Sequence, residues 1–465
     1  MWGPTVADRL VADKTELSLA ARSVKPGDSI ILRDGTWRDV RLRLVADGEP
    51  GRSITLRSQT PGKVVLTGNT SIRLSGSFIV IDGLTFEDGP EAETGFIGFD
   101  RPEDTPETFR LPSNCRITRC AFSDPDPESD QAQFSWITLY GKDHEVDRCS
   151  FKGFGHGGHE IAIHLHEPSP ENGHRVHHNH FAGRPPLGRN GAETIYIGGS
   201  GVAHLDSRSV IEHNLFEHCD GEGEIITNKS CENVYRNNTF RECEGALTLR
   251  HGDRCTVEGN FFLGNGKPDT GGVRVIGEGH TVTHNYFADL AGTGARSALS
   301  MVNGMSELTL GGYHQVVNAR VVSNTFVNCH SIVVGLWRDK RPTMTLPPRN
   351  CTFARNIVLG SPSPAISIHD RPIDMTWRSN VVWDAEPGVQ AEDGFTREDP
   401  RLVADSDGVL RPPGESSLDE TEDAEPSGDT DGKEEGSIGC RQRNRDGELR
   451  GPLTDRDVGP PWMRR

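Results

Sequence analysis

The sequence predicts an all-β chain wound as a right-handed parallel β-helix, with a short N-terminal capping helix. Composition is the first observation. Of 465 residues 34% are hydrophobic, with 53 Gly and 29 Pro, which suits many short strands joined by turns and not a helical bundle. The second is a recurring motif: an apolar residue, two polar ones, Asn or Cys, any residue, then Phe or another apolar group. It reads ITRCAF at 117–122, VDRCSF at 146–151, VHHNHF at 176–181, IEHNLF at 211–216, YRNNTF at 235–240, VEGNFF at 257–262, VTHNYF at 282–287 and VVSNTF at 321–326. The third is the period. Asn214, Asn238, Asn260 and Asn285 follow one another at intervals of 22 to 25 residues, about the length of one solenoid coil.

Each element has its own reason. Thr15 to Ser23 (TELSLAARS) reads as amphipathic and precedes the PGD turn at 26–28, so it is expected as the lid over the open first coil. VIDGLTF at 80–86 is an early relative of the repeat. In the repeats proper, an inward Asn at each bend can hydrogen-bond the next Asn and its backbone. The Phe two positions on can stack on its successor at a strand spacing of about 4.8 Å. These Asn and Phe residues are therefore structural. The longer interval from Asn285 to Asn324 must hold an inserted loop, and FARNIV at 353–358 and WRSNVV at 377–382 are weaker late copies. Residues 1–405 are expected as one catalytic β-helix domain. Residues 406–465 are expected as an acidic, partly mobile segment that folds back on the last coils, because 412–436 is rich in Asp, Glu, Pro and Gly and short of apolar groups.

Charge narrows the partners. Lys+Arg 50 against Asp+Glu 68 gives a net charge of -18, so nucleic acid is not an expected partner, although a polyanion can still bind a locally basic cleft. No run of about 18 apolar residues is present, so no membrane span is expected. The first residues, MWGPTVADRLVADK, lack the basic start and apolar run of a secretory leader, which leaves localisation open. Monomer and homodimer are equally compatible with the sequence. Ten Cys with no C-x-x-C make neither a disulfide scaffold nor a zinc ribbon. Cys219, Cys231, Cys243 and Cys255, spaced by 12, are expected as buried thiols on successive strands.

The repeat departs from its plain form at CDGEGEIITNKSCEN, 219–233. Glu222 and Glu224 are two apart on a strand-like segment and so face the same way. Two neighbouring carboxylates repel unless a proton or a cation sits between them. GRNGAET supplies Asn190 and Glu193 one coil plus an insertion earlier. Asn and Glu oxygens suit a hard cation such as Ca²⁺. Arg250, in LTLRHG, comes 21 residues after Lys229, and Arg274 comes 24 after Arg250. Both are therefore expected at successive rungs of one face, with His251 beside Arg250. Each of these residues has an ordinary reading as a solvated or coil-bridging group. Their shared spacing describes a track for an anionic polymer with a metal in its middle.

The segments NGAETI, EGEIITNKSCEN, LTLRHG and GGVRVIGEGH resemble polysaccharide lyase family 6, the right-handed β-helix alginate lyases and chondroitinase B. The resemblance runs from PGDSIILRDGTW and PGKVVLTG to about residue 400. It implies Ca²⁺ ligands at Asn190, Glu222 and Glu224, a general base at Lys229 and a general acid at Arg250. It implies substrate binding by His251, Arg274 and Tyr140 (in WITLYGKDH), with Glu193 beside them. The implied reaction is β-elimination in a uronate polymer. The cation would offset the substrate carboxylate, and a neutral Lys229, its pKa lowered by nearby cations, would take the C5 proton. The 4-oxygen then leaves a 4,5-unsaturated end. A guanidinium is a poor proton donor, so His251 or Tyr140 stays open as the acid. Alginate is the expected substrate, chondroitin or dermatan sulfate the alternative, and a periplasmic or secreted location is implied if a leader was lost.

Two other readings compete. A β-helix glycoside hydrolase would need close paired Asp residues, and GHGG at 155–158 is only a faint echo of one. A non-catalytic polysaccharide-binding solenoid would explain the repeats but not the common spacing of Glu222, Glu224, Lys229 and Arg250.

Overall fold

The computed structural model describes residues 6–88, 95–101, 111–124, 133–166, 171–309, 311–337, 343–361, 364–390, 394–412 and 450–464. The chain winds as a right-handed parallel β-helix of three long sheets, with 14, 12 and 14 strands. Within these three sheets every strand pairs in parallel with its counterpart one coil away, so one coil supplies the next with its backbone hydrogen bonds. The first sheet runs from Asp8–Val11 to Thr376–Arg378, and the third from Gly35–Arg38 to Phe395–Thr396. Between them the twelve-stranded sheet runs from Arg41–Asp47 to Ile366–Ile368. Its outer face carries the site.

The expected ladder is present. Asn179, Asn214, Asn238, Asn260, Asn285, Asn324, Asn356 and Asn380 are fully buried. From Asn214 onward, each side-chain oxygen accepts from both the backbone N–H and the amide of the preceding Asn at 2.9–3.2 Å. The residue before most of these Asn is left-handed, with φ of 54° to 57° at His178, His213, Asn237, His284, Ser323 and Arg355. Side-chain-bearing residues enter that region at a cost, which the doubly bonded Asn at each bend offsets. Phe86, Phe122, Phe151, Phe181, Phe216, Phe240, Phe262, Phe287 and Phe326 stack with ring centroids 4.6–4.9 Å apart.

A second polar ladder, at another bend, was not anticipated. Cys115 N–H donates to His144 Nδ1 and His144 N–H to His174 Nδ1, both at 3.1 Å. His174 N–H then donates to Ser209 Oγ and Ser209 N–H to Asn233 Oδ1. The cysteine spacing also resolves differently. All four of those thiols are buried and free, but they form two sets one coil apart. Cys219 N–H donates to Cys243 Sγ, while Cys231 and Cys255 belong to a different bend.

The lid is helix α1, Lys14–Ala21, two residues shorter at its C-terminal end than expected. Asp13 caps it by accepting from Thr15 and Glu16 N–H at 2.8 and 2.9 Å, and Leu17, Ala20 and Ala21 are buried. The acidic segment expected to be mobile lies, from residue 413 onward, outside the described residues. The last residues do fold back, but not on the last coils. Residues 450–464 run along the third sheet toward its N-terminal end. Leu453 N–H donates to Thr239 Oγ1, Gly459 N–H to the His178 carbonyl and Trp462 Nε1 to the Arg119 carbonyl. The Trp462 ring lies so close over Gly62 that a Cβ there would sit 2.6 Å from it. No helix among the described residues is long and apolar enough to cross a membrane.

Candidate active site

Two register irregularities build the site. Strand Glu224–Lys229 pairs with strand Gly245–His251, and the register shifts between Glu224 and Ile226. The bulge at Ile225 leaves Glu224 facing the cleft although Ile225 and Ile226 are both buried. A second shift pairs Asn228 with Leu249 and Lys229 with His251. Arg250 is therefore the bulged residue, and His251, not Arg250, is the rung partner of Lys229. Arg274 pairs with Thr248. The expected single row is thus corrected: the three cations share one cleft but come from different registers, because bulges break the coil count.

The cleft, of about 870 Å³, is lined by Asn190, Glu193, Glu222, Glu224, Lys229, Arg250 and Arg274 together with His159, His164, Tyr196, Tyr313 and Trp337. Ligand oxygens of Glu193, Glu222 and Glu224 all lie within 4.8 Å of one another. Glu222 sits in a bend before the strand and not on it, yet the expected juxtaposition with Glu224 holds. Glu193, expected in substrate binding, is the third carboxylate of this cluster. Burial first, then the charges of Glu193 and Glu224, push the Glu222 carboxyl up to about 7. Glu193 is held the other way: burial would raise its pKa, but the nearby His159 ring, whose Nδ1 is 3.3 Å from Oε2, lowers it. An all-oxygen set of three crowded carboxylates, with the Asn190 amide on the same cleft, fits a hard divalent cation.

Glu224 is further engaged by Arg274 and by the Thr227 hydroxyl. Arg274 is buried and also donates to Thr248 Oγ1 at 2.9 Å. Arg250 lies 4.0 Å over the Tyr313 ring, with Nε 3.8 Å from Glu224 Oε1 and a buried Nη1 that has no partner among the described residues. Lys229 Nζ stands 4.7 Å from the Tyr196 ring centroid, and Tyr196 in turn stacks on His159.

Two expected residues stand apart from the carboxylates. His251 is buried, and burial together with Arg250 and Lys229 lowers its pKa to about 3. It is neutral at ordinary pH and unsuited to deliver a proton. Tyr140 follows Leu139, whose row continues through Ile163 and Ile197 to Asn228. It therefore lies three strands from Lys229, about 14 Å at the usual spacing, and stacks on His164 at 4.8 Å. Tyr140 is not among the residues lining the cleft, so it is poorly placed to protonate an oxygen leaving from the carbon next to the one Lys229 would deprotonate. The sequence reading missed His159, His164, Tyr196, Tyr313 and Trp337. Counting register from the ladder would have found Tyr196, which pairs with Thr227; Tyr313 comes from the long insertion before Asn324 and carries no repeat signal.

A second cluster, Glu145, Asp147 and His177, is of another kind. Arg116 and Arg148 pair with Asp147 at 2.6 Å, so its charge is already met by arginines.

Comparison with known proteins follows the same lines. The family model for chondroitinase B matches residues 11–417. A mutant structure of the PL6 family alginate lyase AlyGC is 33% identical over 98% of this chain, with a TM-score of 0.86. A second AlyGC structure is 36% identical over 88%, with a TM-score of 0.82. This chain spans 59% and 55% of those two chains. A mannuronic acid specific polysaccharide family 6 lyase from human gut microbiota is 29% identical, with 85% of this chain and 91% of that one covered and a TM-score of 0.74. No curated protein matches the chain.

Proposed function

The chain belongs to the chondroitinase B family, polysaccharide lyase family 6, and from that premise we propose that it is a polysaccharide lyase that cleaves alginate by cation-assisted β-elimination. The observation that carries this reading is the juxtaposition, in one cleft, of the carboxylates of Glu193, Glu222 and Glu224 with Lys229 and Arg250. Asn190, Glu222 and Glu224, together with Glu193, would hold Ca²⁺. When bound, the cation supplies charge to offset the substrate carboxylate and the second negative charge that builds beside it.

The protein groups do the rest. Lys229, as the free amine, takes the C5 proton and becomes an ammonium. The electron pair forms the C4–C5 double bond as the C4–O bond breaks. Arg250, with its unpartnered Nη1, donates hydrogen bonds to the departing oxygen, which takes its proton from water while the Lys229 ammonium returns one to solvent. Arg274 holds Glu224 in place, and Tyr313 and Tyr196 hold the faces of Arg250 and Lys229.

Alginate is proposed first because the similar solved structures are named alginate lyases. The chondroitinase B match supports chondroitin or dermatan sulfate as the alternative substrate of the same mechanism. Mass spectrometry of the product ends tests the reaction class. Elimination gives one end a water lighter than hydrolysis does; ends of hydrolysed mass, or no cleavage of either polymer, would contradict the proposal.

A further inference from the structure

Arg184, the last residue of strand His180–Arg184, is wholly buried and points into the solenoid. Its guanidinium lies 4.5 Å over the Phe154 ring. Nη2 donates to the carbonyls of His156 at 3.2 Å and Gly158 at 2.8 Å, so one nitrogen of the guanidinium holds two carbonyls of the GHGG turn. Gly158 N–H donates to the Gly191 carbonyl at 2.8 Å, and Gly191 N–H donates to Glu222 Oε2 at 2.9 Å. The guanidinium thus reaches a carboxylate of the proposed cation pocket through two glycine residues. It also touches the pocket from a second side. A Cβ on Gly221, the residue before Glu222, would sit 2.4 Å from Arg184 Nε, so the loop carrying Glu222 passes directly over the guanidinium.

Stability alone does not account for this arginine. Nε and Nη1 are buried and have no hydrogen-bond partner among the described residues, and both carboxyl oxygens of the fully buried Glu160 are equally without one. A buried cation whose hydrogen-bonding groups are incompletely met is commonly no better for stability than an apolar side chain of the same shape. We infer that Arg184 is a positioning residue of the cation pocket, setting Glu222 from inside the solenoid through the Gly158 and Gly191 peptides. The inference rests on the reading of Glu193, Glu222 and Glu224 as that pocket. Lysine would keep the charge but lose the planar guanidinium that lies on the Phe154 ring while its Nη2 meets both carbonyls.

The sign of the effect separates positioning from charge. Arg184 is a cation beside a cation pocket, so its charge alone opposes metal binding, and Arg184→Met should tighten it. Positioning predicts the reverse. Calorimetric titration of the metal-free full-length protein with Ca²⁺ is expected to show affinity about 10- to 100-fold weaker in Arg184→Met and Arg184→Lys, with melting of the metal-free Arg184→Met protein not lowered. Unchanged or tighter Ca²⁺ binding in either folded variant overturns the inference, as does a lowered melting temperature with unchanged affinity. If the wild type and Glu222→Gln take up Ca²⁺ equally poorly, the cation pocket itself fails, and this inference with it.

Discussion

Lys229 and Glu222 are the two side chains whose replacement reports most on the chemistry. Lys229→Ala removes the proposed base from a partly exposed position on the cleft. It is expected to leave melting within about a degree of wild type and polymer binding intact, while turnover falls by at least about three orders of magnitude; turnover within tenfold of wild type would remove Lys229 from the mechanism. Glu222→Gln keeps shape but removes a charge that its neighbours already oppose. The metal-free protein should therefore be no less stable, while the rise in melting temperature on adding Ca²⁺ should largely disappear. An undiminished Ca²⁺-induced rise would show that Glu222 is not a ligand. At this scale the sequence was legible where chemistry is compact: Glu222, Glu224 and Lys229 lie within eight residues, Arg250 and Arg274 follow at about one coil each, and Asn190 and Glu193 precede by a coil plus an insertion. It was illegible where bulges intervene. The row that spacing drew through Lys229, Arg250 and Arg274 dissolved because one extra residue at Arg250 turns the strand.

Elements of this solenoid are set by the bends as much as by the strands. Asn238 accepts from the Asn214 backbone and amide and donates to the Ile211 carbonyl and to Asn260. Asn238→Ala orphans buried groups on both neighbouring coils, at about 1–3 kcal/mol. A lower melting temperature with unchanged turnover per folded molecule is expected, and a selective loss of rate would give the ladder a catalytic part. The histidine ladder makes an acid-sensitive bend. His144 and His174 accept backbone N–H bonds through Nδ1, which requires the neutral ring. Burial lowers the His144 pKa from 6.5 to about 4 and that of His174 well below 6.5. Both pKa values are depressed on folding, so this stabilisation is complete above about pH 6.5 and is lost as pH falls from there toward 4. Thermal melts of wild type and His144→Asn/His174→Asn between about pH 7 and 5 should show the wild type losing more; parallel losses would exclude the ladder as the cause. The Asn ladder was visible because one residue type marks every bend. The second ladder was hidden because His, Ser and Asn alternate at one position.

Across the whole molecule, the axis of stacked coils makes distant segments neighbours. The C-terminal residues 450–464 join coils that lie more than 200 positions earlier, from Thr239 back to Arg119, and no periodicity in the sequence could announce that contact. Trp462→Ala is expected to lower the melting temperature by a few degrees and leave turnover unchanged, since the ring packs on Gly62 and Arg119, far from the cleft; altered turnover would couple this strap to the site. The central claim is that the outer face of the twelve-stranded sheet is a cation-dependent lyase cleft. Ultraviolet absorbance of the unsaturated uronate, followed on alginate and on dermatan sulfate with and without chelator, tests it most directly. The predicted result is a steady rise on alginate that chelator abolishes and added Ca²⁺ restores. A rise on alginate untouched by chelator, or no rise on either polymer, would contradict it.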